Sequence, residues 1–266
     1  MDINGNTKIF GVVGDPVAQV KTPSHINSIF KSRELDIMCL PFHVPAVDFL
    51  EYWAGMRSAK NVVGFGVTIP HKRSAQQLCD SLGPGAERTG VVNAVCRRAD
   101  GGFHGENFDG TSFVDGLKAQ GFDPRGQNIY IMGAGGAATA ICFALIDAFV
   151  AQISIQNRTH VLAVNLADKL KASTEFNNVM AVRTFDPNAN IIINATSLGM
   201  QEDDPLPLDP GLLKPHMIVA EVVAKPEITR LLQRAETKGC CIHSGIHMIT
   251  NQMEIMADFI LSGHFE

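Results

Sequence analysis

The stretch from Asn128 to Thr159 limits what this chain can fold into more than any other. An apolar run rich in isoleucine, Asn128-Ile129-Tyr130-Ile131-Met132, leads straight into Gly133-Ala134-Gly135-Gly136-Ala137-Ala138. An apolar helical segment to Val150 and a second strand, Gln152 to Gln156, follow. Strand, glycine turn, helix and strand in that order read as a dinucleotide-binding βαβ unit. In such a unit the first glycine permits the tight turn, the second lets the backbone approach a pyrophosphate, and a small residue permits close helix–strand packing. Gly133, Gly135 and Ala138 hold those places, with Ala134, Gly136 and Ala137 completing the turn. The helix N-terminus then offers unpaired N–H groups to an anion. Glycine turns also join strands to helices for purely structural reasons, so the flanking residues must decide.

Units that bind NAD carry a carboxylate at the end of the second strand, where it bonds the ribose 2′-hydroxyl. Here that place holds Asn157-Arg158-Thr159, with no acid. A guanidinium fork between small polar residues suits a 2′-phosphate, which favours NADP over NAD. The plainer alternative is that Arg158 is a solvated loop cation.

The remaining sequence reads as alternating strands and helices. Strands are expected at Lys8–Val13, Ile37–His43 and Asn61–Val67, with helices at Thr22 to about Glu34 and Val47 to Arg57. Thr22-Pro23 reads as an N-cap followed by a proline at the first helical position. A helix from Lys72 to about Leu82, a loop at Gly83-Pro84-Gly85, and a hairpin of Val91–Arg98 with Phe103–Asn107 complete a first domain. Asp109 to Gln120 is a connecting helix. Beyond the dinucleotide unit come strands at 179–183, 191–194, 217–222 and 240–243 and helices at 161–173 and 227–238. A closing helix from Gly245 to about Leu261 is expected to pack back on the first domain. Such alternation predicts an α/β protein of two domains, with ligands outside the carboxyl ends of mostly parallel strands.

Composition narrows the functional classes. The net charge of −5 is scattered, and the basic clusters go no further than the pairs Lys72-Arg73 and Arg97-Arg98, so nucleic acid and anionic membranes are not expected partners. The six cysteines show no C-x-x-C or zinc spacing and read as buried free thiols of a reducing cytosol. The nine histidines show no metal spacing either, so no metal is expected. Neither a targeting segment nor a membrane span is expected from the N-terminal residues or from the most apolar stretch, 137–151.

Oxidising an alcohol with NADP needs a group to take the hydroxyl proton as hydride leaves carbon. Lys72 and Asp109 are the candidates, because a desolvated lysine can serve as acid/base and a carboxylate can orient it. Lys72 falls in the first turn of its helix, where a cation opposes the helix dipole, so helix stability does not explain it. Asp109 has an alternative role as an N-cap, and the two roles are compatible.

Several strings together resemble the shikimate dehydrogenase family. Gly64-Phe65-Gly66-Val67-Thr68-Ile69-Pro70-His71-Lys72 is similar to its G-x-N-V-T-x-P-x-K, Gly90-Val91-Val92-Asn93 to G-A-V-N, and Gly105-Glu106-Asn107-Phe108-Asp109-Gly110 to G-x-N-T-D-G. The glycine turn, Asn157-Arg158-Thr159, Asn194-Ala195-Thr196-Ser197-Leu198-Gly199-Met200 and Gly245 to Gln252 match the cofactor and closing-helix strings. The resemblance implies Lys72 and Asp109 as the catalytic pair. It implies substrate contacts from Thr22, Thr68, Asn93 and Gln252, and places Thr196, Val222 and Gly245 along the nicotinamide half of NADP. It also implies a substrate-binding and catalytic domain of residues 1–107 plus 246–266 and a Rossmann-type NADP-binding domain of residues 108–245, with a cleft between them. A cytoplasmic monomer or homodimer of aromatic amino acid biosynthesis follows from the same resemblance.

The departures bear on substrate. Where the family has H-S-x-S-P, this chain has Gln19-Val20-Lys21-Thr22-Pro23, losing one carboxylate-binding hydroxyl. Gly66 replaces an asparagine, Phe108 a threonine, and Ala224 the tyrosine of D-x-x-Y-x-P, while Thr139 and Leu162 replace basic residues near the adenine ribose. Each lost bond to a carboxylate costs about 1.5–3 kcal/mol, and such losses need not add. The substrate is therefore expected to be shikimate or a related alicyclic hydroxy acid such as quinate, with a ligand sensor lacking turnover as the rival from another class. Retention of Lys72 and Asp109 speaks against the sensor.

Overall fold

Strand and helix alternate through almost the whole chain in the computed structural model, which describes residues 3–18 and 20–263. Gln19, the first residue of the altered serine string, lies outside them. The chain divides into two compact units, Met1–Phe108 with Gln252–Glu266, and Asp109–Asn251.

The first unit contains β1 (Lys8–Gly14), α1 (Thr22–Ser32), β2 (Ile37–His43), α2 (Phe49–Ser58), β3 (Val62–Val67), α3 (Lys72–Leu78), β4 (Ser81–Leu82), α4 (Pro84–Thr89), β5 (Ala94–Arg97) and β6 (Phe103–Glu106). Its sheet runs β2-β1-β3-β5-β6-β4, parallel over β2, β1 and β3 and antiparallel at β3–β5 and β5–β6. Edge-to-face aromatic packing fills one side. The Phe65 ring meets Trp53 at 5.0 Å and Phe103 at 5.3 Å between centroids, and all three side chains are buried.

The second unit contains α5 (Asp109–Ala119), β7 (Asn128–Met132), α6 (Gly136–Asp147), β8 (Gln152–Gln156), α7 (His160–Ser173), β9 (Val179–Val182), β10 (Ile191–Asn194), β11 (Ile218–Glu221), α8 (Arg230–Thr237) and β12 (Cys241–His243). All six strands are parallel, in the order β12-β11-β10-β7-β8-β9. A parallel sheet is covered on both faces, which explains why its strands read as unbroken apolar runs. Ile129, Ile131, Ile153, Ile155, Ile191 and Ile193 all lie in one core with Ile141 and Leu145 of α6.

The closing helix α9 (Ile246–Ser262) belongs to both units: Ile246 to Asn251 count with the second and the rest with the first. In the first unit Arg33, the residue just after α1, bonds Glu254 at 2.5 Å and Asp258 at 2.6 Å, and Phe259 packs edge-on against Phe108.

Several expectations are corrected. Helix α3 stops at Leu78 rather than near Leu82, because Cys79 turns extended and Asp80 is drawn away. The Asp80 amide donates to the Phe103 carbonyl, and its carboxylate accepts from Arg57 and the Phe103 amide, so Ser81–Leu82 becomes a short strand beside β6. Gly83-Pro84-Gly85 is no loop but the start of α4, whose first turn is held by the Glu106 carboxylate accepting from the Ala86 amide at 2.7 Å. The following strand begins only at Ala94, since Gly90 ends α4 in the left-handed region. Thr22 is not an N-cap: Lys21 occupies that position in helical conformation, and no side chain caps the turn. All six cysteines are free, but Cys79 is only half-buried and Cys241 is exposed. Burial pushes the Cys39 and Cys142 thiols up to about 12, leaving them inert. No helix among the described residues is long and apolar enough to cross a membrane.

Two buried polar groups affect stability. The Arg97 guanidinium, only 5% exposed, donates to the carbonyls of Met56, Arg57, Ala59, Val62 and Gly101 and lies over the Phe103 ring. It ties the end of α2 to β3 and to the β5–β6 hairpin. Arg97→Met is expected to cost about 3 kcal/mol or more by urea denaturation, because the five acceptors lose their donors together, and Arg97→Lys should recover less than half. His243 is fully buried, stacks on His247, and has no hydrogen-bond partner at either ring nitrogen. Burial, then the neighbouring His247, lowers it to about 4 from 6.5. A histidine held neutral contributes stability that is complete above pH 6.5 and is lost as the pH falls toward 4. Unfolding at pH 4.5 should therefore show roughly 2–3 kcal/mol less stability than at pH 7 from this group, a difference that His243→Leu should remove.

Candidate active site

The candidate residues fall into two sets, one in each unit, and both lie where strands end. In the first unit, parallel pairing of β1 and β3 puts their carboxyl ends side by side. There the Thr68 amide donates to the Val13 carbonyl at 3.0 Å. Strand β5 runs the other way, so its beginning, not its end, reaches the same edge, and the Val67 amide donates to the Asn93 carbonyl at 2.8 Å. Lys72 opens α3 from that edge, and its own carbonyl accepts from the Val92 amide at 2.9 Å. Thr68, Lys72 and Asn93 are thereby knitted together by main-chain bonds that do not involve their side chains.

The neighbouring His71 anchors this corner. It is 1% exposed, its Nε2 lies 2.7 Å from the Val44 carbonyl, and its ring stacks on Phe49 at 4.2 Å. His71 is thus structural, immediately before the candidate base. Asn93 is 2% exposed and accepts from the Phe108 amide through Oδ1 at 3.0 Å. Thr22 is half-buried in the first turn of α1, as is Val20 just before it, and Gln252 is buried on α9. A Cβ at Gly66 would stand 3.6 Å from Val12, 3.8 Å from Phe10 and 3.9 Å from the Asn93 carbonyl oxygen, all ordinary contact distances.

In the second unit Asp109, 3% exposed, is the first residue of α5. Gly133 leaves β7 at φ +114°, and its amide donates to the Gln156 carbonyl at 2.8 Å, which sets the glycine turn beside Asn157. A Cβ at Gly133 would stand 2.8 Å from the Ala195 carbonyl oxygen and 3.4 Å from Thr196 Cγ2, so only glycine fits there. Gly135 is the N-cap of α6, with no capping side chain and nothing within 4 Å of where its Cβ would be. That open space above the first turn, through Gly136 and Ala137, suits an anion held by backbone N–H groups. Ala134 lies half-buried in the turn.

Arg158 is exposed after β8, Asn157 Nδ2 bonds the Thr159 carbonyl at 2.9 Å, and Thr159 precedes α7. The Val222 amide donates to the Asn194 carbonyl, while a Cβ at Gly245 would collide with the Val222 carbonyl group at 2.6 Å. Val222 and Gly245 therefore touch, on the same edge as Thr196 and the glycine turn. The residues fit a dinucleotide: a backbone cradle at the turn, a guanidinium beside it, and a wall from the loops after β10 and β11. Among the described residues no group of three or more acidic, histidine or cysteine side chains could hold a metal.

Sequence reasoning meets Glu221 only as the acid opening Glu221-Val222-Val223-Ala224-Lys225-Pro226, this chain's counterpart of D-x-x-Y-x-P, and gives it no role. It is fully buried at the end of β11 and accepts from Asn194 and Thr229. Burial raises its carboxyl, with the two hydrogen bonds opposing. The Asn194 string and the string opened by Glu221 are the sequence signals that pointed to this place.

Comparison with known proteins agrees with this geometry. A profile described as the shikimate dehydrogenase substrate binding domain matches residues 12–95, and one described as shikimate / quinate 5-dehydrogenase matches residues 117–200. The shikimate dehydrogenase (NADP(+)) of Methanopyrus kandleri is 35% identical over 261 residues, covering 95% of this chain and 89% of that protein. Among solved structures, shikimate 5-dehydrogenase from Thermus thermophilus, in complex with NADP(H) and shikimate, superposes with a TM-score of 0.84 at 29% identity, covering 95% of this chain and 93% of that one. The 5-ketofructose reductase of a Gluconobacter species gives 0.87 at 30% identity, with 97% and 94% covered. With a relative more than 30% identical along nearly its whole length, and both units matched in order, this chain belongs to the shikimate dehydrogenase family.

Proposed function

We propose that this protein is an NADP-dependent oxidoreductase that interconverts 3-dehydroshikimate and shikimate, or a closely related alicyclic hydroxy acid. The observation that carries the reading is the corner where main-chain bonds hold Lys72 beside Thr68 and Asn93 at the carboxyl edge of the first sheet. NADP, when bound, supplies the hydride acceptor or donor. Lys72 takes the hydroxyl proton in oxidation and returns it in reduction, and Asp109 is the carboxylate that orients it. Thr22, Thr68, Asn93 and Gln252 fix the substrate through its hydroxyls and carboxylate. Gly133 to Ala137 hold the pyrophosphate, Asn157, Arg158 and Thr159 the adenosine 2′-phosphate, and Thr196, Val222 and Gly245 the nicotinamide half. The units serve as a substrate-binding and catalytic domain and an NADP-binding domain, in a cytoplasmic protein acting as a monomer or homodimer.

A second reading, quinate or another polyol acid as substrate, draws on Val20 and Ala224, which replace a hydroxyl and a phenol with apolar groups. The likeness to a protein named 5-ketofructose reductase supports keeping a substrate other than shikimate open.

Initial rates of NADP reduction with shikimate, quinate and other alicyclic hydroxy acids test the reading. Saturable turnover of shikimate is expected, and absence of turnover across the panel would remove it. Lys72→Ala should lower kcat by about 10²–10⁴-fold while cofactor binding persists; near-normal turnover would take Lys72 out of the mechanism. Arg158→Ala should weaken NADP more than NAD. Equal weakening of both would leave Arg158 as a solvated cation.

A further inference from the structure

The second sheet reverses direction between β7 and β10: the chain builds outward through β8 and β9, then returns to the other side of β7. Ligands of open parallel sheets lie at that reversal. Its two walls are the Gly133 turn and the loop from Ala195 to Gly199, which stand in contact, with Thr196 Cγ2 3.4 Å from the position of a Gly133 Cβ.

A chain of buried side chains holds that loop. Asn194 Oδ1 accepts from the Thr196 amide at 3.1 Å and from the Thr196 hydroxyl at 2.6 Å. Asn194 Nδ2 donates to the Leu198 carbonyl at 2.9 Å and to Glu221 Oε1 at 2.7 Å. Glu221 Oε2 accepts from the Thr229 hydroxyl at 2.5 Å. Asn194, Glu221 and Thr229 are all fully buried, and no cation pairs with Glu221 among the described residues. A carboxyl buried without a counter-charge is costly to the fold, and an apolar residue in its place could be more stable. Because the Thr196 proton is given to Asn194 and its oxygen also accepts from the Leu198 amide at 3.1 Å, the hydroxyl has only a lone pair left for a ligand.

We propose that Glu221 is a positioning residue for the cofactor: through Asn194 it fixes the loop wall and holds Thr196 Oγ1 as a hydrogen-bond acceptor facing the dinucleotide. This rests on the NADP reading above. It assigns to Glu221 an effect on cofactor affinity that its complete burial alone would not suggest.

The test is a fluorescence titration of NADPH, with melting temperature followed alongside. Glu221→Ala should weaken NADPH about tenfold, while Glu221→Gln, which keeps an oxygen for Asn194, should stay within about threefold. Thr196→Val should match the alanine variant, and the double variant should lose no more than either single one, because both break one chain. In steady state the KM for NADP should rise while that for shikimate holds. If Glu221→Ala does not fold, Asn194→Ser cuts the same chain one step later and carries the same expectation. Tight NADPH binding by a folded Glu221→Ala or Asn194→Ser protein, or losses that multiply in the double variant, would overturn the proposal alone. Wild-type protein that takes up no NADPH would overturn the cofactor reading and this proposal with it.

Discussion

Parallel strand pairing is the constraint on which the rest depends. A parallel strand cannot be joined to its neighbour by a hairpin, so each connection crosses back over the sheet and every strand delivers its end to the same edge. In the second unit this gathers the glycine turn, Arg158, Thr196 and Val222 from four strands far apart in sequence. The first unit uses the rule and then breaks it. Antiparallel β5 brings the beginning of a strand to an edge otherwise made of endings, and so places Asn93 against Val67 and next to Thr68.

The polar groups that the fold buries behave differently from the surface ions. Arg97 and the Asn194–Glu221–Thr229 chain are satisfied by neutral dipoles, whereas Arg33 with Glu254 and Asp258 is an exposed network that solvent and salt weaken. Arg97 secures the frame of the first unit, and the Glu221 chain secures one loop of the second. Each is placed where several backbone segments must be held to one another, which apolar packing alone does with less precision.

Much of this was legible in the sequence, and the reason differs between the units. In the second unit continuous apolar runs and positive-φ glycines are dictated by a doubly covered sheet, so β7, β8 and β10 stand where the sequence puts them. In the first unit the short elements escaped. Nothing local makes Ser81–Leu82 a strand; Arg57 and Phe103, from elsewhere in the chain, capture Asp80 and do so. Likewise α4 depends on Glu106, about twenty residues on, to hold its first turn. Lys72, Thr68 and Asn93 were recognised from strings of residues, but the backbone bonds that unite them could not be read before the strands were paired. Glu221 was visible only as the acid of a string, with no role attached; its burial depends on Thr229 and Asn194 around it, which the string does not show.

The position of Lys72 is set by its main chain, through a carbonyl bonded to Val92 and a preceding ring clamped by Phe49 and Val44. Removing the ammonium group leaves those main-chain bonds in place. If Lys72 is the acid/base proposed above, a Lys72→Met protein keeps that backbone frame with its reactive end blunted, a form suited to holding an unreacted alcohol in place.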